Sequence, residues 1–133
     1  MKHQISKSSV RRVVVAVAAS ALAMTSARAA VVEIAWDTSG TFQRTVEIEP
    51  GQFAEICGRV LKGQSVAWSF KSGAPMNFNI HFHEGSSVVF PARQDRIASL
   101  EGKLEVAKDR DYCWMWENKS KARDTLIVVL RRQ

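Results

Sequence analysis

The chain has little cysteine and no long apolar run. Only two of its 133 residues are cysteine, Cys57 and Cys113. Fifty-five residues separate them, so no short C-x-x-C spacing is present, and a pair of metal-binding thiolates is left as the lesser alternative to a disulfide. The longest apolar stretch, Val13 to Met24, falls short of the about 20 residues that a membrane span needs. No repeat, low-complexity tract or linker interrupts the chain, and no pattern of three helical turns stands out. The serines near the histidines, Ser86 and Ser87, lack the G-x-S-x-G elbow that would expose a nucleophile. Asp95 and Asp111 read as turn residues, so no nucleophile, base and orienting group line up. These absences point away from an enzyme.

A segmented N-terminus is present. Lys2, His3, Lys7, Arg11 and Arg12 precede the apolar run, and Ala27-Arg28-Ala29 follows it. A basic start, a short apolar centre and an A-x-A end are the layout of a secretory signal peptide over residues 1–29. Arg11-Arg12 raises twin-arginine export, although the flanking residues fit that route poorly. No cysteine follows the run to carry a lipid, so no membrane anchor is expected after processing.

Removing this leader changes the charge. The chain holds 19 Lys+Arg against 13 Asp+Glu, and the leader takes five basic residues and no acidic ones. The 104 residues left from 133 after a 29-residue leader carry 14 against 13, a net +1. Such a balance excludes a nucleic-acid partner argued from charge. That length makes one domain, residues 30–133, in the periplasm or outside the cell. An even cysteine pair in an oxidising compartment reads as one disulfide, Cys57 with Cys113.

Short strand patterns alternate with turn signals along these residues. Apolar residues recur at period two in Phe42–Glu49, in Ser65–Lys71 through Val66, Trp68 and Phe70, and in Met76–His83 through Met76, Phe78, Ile80 and Phe82. Val31–Trp36, Phe53–Leu61, Ser87–Phe90, Asp111–Glu117 and Thr125–Leu130 complete the set. Pro50-Gly51, Ser72-Gly73-Ala74-Pro75 and Glu84-Gly85-Ser86 read as turns, and Pro91 as a strand end. Residues 92–110 fit short strands or a helical turn. The pattern predicts an all-β chain, an antiparallel β-sandwich of jelly-roll kind.

The segments CGRVLKGQSVAWSF from Cys57 and DYCWMWEN around Cys113, followed by TLIVVLRR, resemble a GOLD-type domain, the lumenal β-sandwich of the p24 trafficking proteins. The resemblance covers about residues 53–130. It implies a Cys57–Cys113 bond and a non-catalytic interaction role. Tyr112 directly precedes Cys113, which departs from the family's spacing, and the coiled coil and membrane helix of p24 proteins are absent.

Two clusters offer chemistry. His81 and His83 lie two apart in a strand and so share a face, with Asn77 and Asn79 on the same row. The simple reading is a polar sheet face. As metal ligands the two imidazoles would need a third group from Glu84, Glu117 or Met115, and Met115 would favour copper. No other cofactor is implied. Tyr112, Trp114 and Trp116 share a parity opposite to Cys113, Met115 and Glu117. Core packing is the commoner use of such aromatics. If Cys113 faces the core instead, Trp114 and Trp116 join Asn77, Asn79, His81 and His83 as an exposed binding surface. The sequence therefore predicts an exported binding module for a protein or small ligand, with a periplasmic copper or other transition-metal binder as the alternative. Asn118-Lys119-Ser120 matches a glycosylation sequon but carries little weight beside a bacterial-type leader.

Overall fold

The computed structural model describes residues 29–133, and the expected signal peptide lies outside them apart from Ala29. Seven strands form: β1 (Ala30–Glu33), β2 (Thr41–Ile48), β3 (Phe53–Val60), β4 (Ser65–Glu84), β5 (Ser87–Glu105), β6 (Arg110–Glu117) and β7 (Asp124–Arg132). None of the described residues is helical, and none forms a helix long and apolar enough to cross a membrane.

The hydrogen-bonded order is β1-β3-β6-β4-β7-β2, with β5 along the other side of β4. All pairings are antiparallel except β1 with β3. β4 belongs to two layers. Its first part, Val66–Ser72, pairs with β7, and its second part, Asn77–His81, pairs with β6. Between them the chain bends, and the sheet folds over on itself as a sandwich. The apolar alternation seen in the sequence lines the inside: Trp68 of one layer meets Phe78 of the other at 5.0 Å between ring centroids, and Phe70 meets Trp116 at 5.5 Å. Trp114, Trp116, Ile56, Leu126, Val128 and Leu130 are fully enclosed between the layers. Three buried indole N–H groups, of Trp68, Trp114 and Trp116, find no acceptor among the described residues, a cost that the burial of the large rings offsets.

Two expected breaks turn out to be bends. The segment from Ser72 to Pro75 stays within β4. Asp124 of β7 holds it, accepting from Gly73 N at 3.0 Å and Ala74 N at 2.6 Å, while Ser72 Oγ donates to Ala74 O at 2.7 Å. Nor does Pro91 end its strand: β5 runs through it to Glu105, so most of residues 92–110 is one strand. Among the described residues β5 pairs only with β4, and a proline on an edge strand removes no ladder bond when its nitrogen faces outward. The register also slips there, Phe90 and Pro91 standing against His81 alone between the Ile80–Ala92 and Phe82–Val89 pairs. This is a β-bulge, which bends the strand and re-aims its side chains.

Cys57 and Cys113 are bonded, and they are Cα partners across β3 and β6. The disulfide ties two neighbouring strands on the outer face rather than crossing the core. Asn118, just after β6, is fully buried and closes the far end: its Nδ2 donates to Ile48 O (2.9 Å) and Ala122 O (2.8 Å).

Candidate functional site

The outer face of the β3-β6-β4-β5 layer gathers most of the residues that the sequence singles out. Strand register sets the rows. Cys57, Cys113 and His81 stand side by side on β3, β6 and β4. Glu55, Met115, Asn79 and Arg93 form the next row across four strands, and His83 pairs with Val88 on the hairpin that joins β4 to β5.

His81 is 6% exposed although it is on the outer face. Phe90, displaced by the bulge, lies 6.0 Å from it between ring centroids, and His83 meets it edge-on at 5.6 Å. Both of its nitrogens are occupied. Nε2 lies 3.0 Å from Glu55 Oε1 and Nδ1 lies 2.8 Å from Asn79 Oδ1. Burial pushes its pKa down, and the Glu55 carboxylate opposes that shift without cancelling it. A neutral ring donates only once. With Nε2–H on the carboxylate, the Asn79 amide turns its NH₂ toward Nδ1; a protonated ring satisfies both oxygens as they stand.

His81, His83, Asn79 and Met115 therefore do come together, with Val88, Phe90 and Arg93, around a recess of about 260 Å³. A metal there would have to displace Glu55 or Asn79 from His81. Glu55, His81 and Cys113 also present ligand-type atoms close together, but the Cys113 sulfur is committed to the disulfide. Glu84 binds Lys108 at 2.9 Å and Arg110 at 3.6 Å, and both cations hold its carboxyl below the usual range, led by the Lys108 hydrogen bond. Glu117 pairs with Lys119.

The tryptophans correct one expectation. Trp114 and Trp116 are 0% exposed and point between the layers, so they are not part of a binding surface. The disulfide explains this: Cys113 turns outward to meet Cys57, and parity sends its two tryptophan neighbours inward. Histidines and indoles lie on opposite faces. Asn77 and Asn79 share the outer face, but as props. Asn77 Oδ1 accepts from Arg96 N at 3.1 Å in a second bulge, where Arg96 has φ 54°.

The sequence reading missed Glu55, Val88, Phe90 and Arg93. Val88, Val89 and Phe90 are 42%, 38% and 48% exposed, side by side in the chain. An unbroken apolar triplet directly before Pro91 was the available signal. Arg93 places its guanidinium 5.6 Å from the Phe90 ring centroid. Ser86 and Ser87 are exposed at the hairpin tip.

No family model, of the GOLD type or any other, matches the chain, and no curated protein matches it. Solved structures do resemble it. Salmonella Typhimurium PliG, a periplasmic lysozyme inhibitor of g-type lysozyme, superposes with a TM-score of 0.59 at 15% identity, over 80% of this chain and 100% of that one. Aeromonas hydrophila PliG, of the same description, gives 0.57 at 13% over 80% and 98%. The pre-peptidase C-terminal domain of a Bacillus anthracis collagenase gives 0.53 at 12% over 80% and 95%. At these identities the likeness is one of fold: an all-β sandwich that is also found in bacterial periplasmic proteins.

Proposed function

We propose that the chain is an exported, non-catalytic protein-binding module of the periplasm, and that its partner is a lysozyme of the g type. The observation that carries the binding reading is the exposed pair Val88 and Phe90 beside Arg93 on the outer face. Exposed apolar residues grouped with an arginine are what the centres of protein interfaces are made of. They sit on a face stiffened by the Cys57–Cys113 bond and by the Glu55–His81–Asn79 network. The buried histidine has both nitrogens engaged, which suits a structural support better than a general base. The two PliG structures favour lysozyme over other partners; the collagenase domain shares the fold without that description.

The experiment is direct. The purified protein is added to g-type lysozyme digesting peptidoglycan. Stoichiometric inhibition is the expected result. Full lytic activity at a large excess of this protein overturns the choice of partner.

A further inference from the structure

We propose that the recess between β4, β5 and β6 is a receptor for a carboxylate side chain of the partner protein, held by Arg93 and flanked by His83. This deepens the protein-binding reading and rests on it. The walls are apolar: Val88, Phe90 and Met115. The charge is one-sided. Among the described residues, the carboxylates of this face on β3 and β6 are already engaged, Glu55 with His81, Asp111 with Arg59 and Glu117 with Lys119, and Glu33, which has no ion-pair partner, stands on β1 beyond β3 from the recess. Asp95 and Arg96 sit together in the neighbouring bulge, outside the recess. Arg93 is left with an aromatic ring as its neighbour, 5.6 Å from the Phe90 centroid. That contact holds the planar fork over apolar surface, where a two-point bond to a carboxylate is strong. A volume of about 260 Å³ holds several waters or one side chain.

The edge of β5 argues for contact through side chains. Pro91 and the two bulges interrupt the ladder where a partner strand would add, and such devices block edge pairing. The partner therefore meets Phe90 and Arg93 rather than the backbone.

The test uses acetyl-Leu-Glu-Leu-amide, with its Gln and Lys counterparts, titrated into the purified protein and followed by NMR. The Glu peptide is expected to shift the Val88–Arg93 amides and the Met115 methyl at millimolar concentration. Arg93→Gln should weaken it roughly tenfold, the loss of one charge-assisted bond. Arg93→Lys should fall between, because it keeps charge and loses the fork. Arg93 is exposed, and unchanged shifts elsewhere verify that the variants fold. Equal binding of Glu and Gln peptides, an indifferent Arg93→Gln variant, or shifts confined to another face each overturn the inference. Failure of lysozyme inhibition with Glu-peptide binding intact removes the proposed partner and leaves the carboxylate receptor standing.

Discussion

Replacing Asn118 by alanine asks whether one buried amide closes the end of the sandwich. Its side chain makes four hydrogen bonds. Nδ2 donates to Ile48 O (2.9 Å) and Ala122 O (2.8 Å); Oδ1 accepts from Ser120 N (2.9 Å) and Ser120 Oγ (2.7 Å). Ile48 is 2% exposed, so its orphaned carbonyl keeps most of a buried group's penalty, about 1–3 kcal/mol. Ser120 and Ala122 lie nearer the surface and turn to water, adding roughly 1 kcal/mol. The expected loss is about 2–4 kcal/mol, read from urea unfolding with an unchanged m-value. Asn118→Asp sharpens the test. It keeps the acceptor for Ser120 but sets a carboxylate against two carbonyl oxygens. That variant should be at least as damaged as alanine at pH 7 and recover toward pH 4, because its raised pKa lets a protonated acid donate one bond. An alanine variant within about 0.5 kcal/mol of the parent, the range of an ordinary surface change, refutes the reasoning. The same bonds predict that the Asn118 sequon stays unmodified in the folded protein, since Nδ2 is buried and doubly engaged.

Three further outcomes follow from the same packing. Reducing Cys57–Cys113, 56 residues apart, should cost roughly 4 kcal/mol in chemical unfolding, and an unchanged midpoint on reduction would contradict that. Gly102→Ala should destabilise by about 1–3 kcal/mol, because the new Cβ collides with the Trp68 ring, and the same change should cost less in a Trp68→Leu background, where that ring is gone; a neutral Gly102→Ala sinks this. The pKa of His81 is lowered on folding from 6.5, so the unfolded chain takes up its proton first as pH falls. The stability His81 contributes is present above that value and is lost between 6.5 and the lower folded pKa, with a slope of at most about 1.4 kcal/mol per pH unit. His81→Phe should flatten the profile between pH 7.5 and 5; a profile with the same slope in the variant rules the group out.

Period-two alternation made the layers legible. Val66, Trp68 and Phe70 and then Met76, Phe78, Ile80 and Phe82 all face inward. What local pattern misses is pairing. Ser72-Gly73-Ala74-Pro75 carries turn residues, and only Asp124, 50 residues on, makes it a bend inside one strand. Pro91 reads as a stop because an edge position is not visible in sequence. The same limit governs the site. Parity places His81 with His83 and Asn79, but Glu55 reaches His81 only through the β3-β6-β4 order. Trp114 and Trp116 were ambiguous because the side taken by the disulfide decides them. Among the described residues it lies outside, between adjacent strands, and the indoles go in.

The central proposal is that the Val88–Arg93 face binds a lysozyme of the g type. Calorimetric titration of g-type lysozyme with the parent protein and with Phe90→Asp tests it most directly. Phe90 is 48% exposed, so the substitution leaves the core intact. Binding by the parent, weakened roughly 30-fold or more in Phe90→Asp as for an interface anchor, is the predicted result. No heat with the parent, or equal affinity for both proteins, contradicts the account.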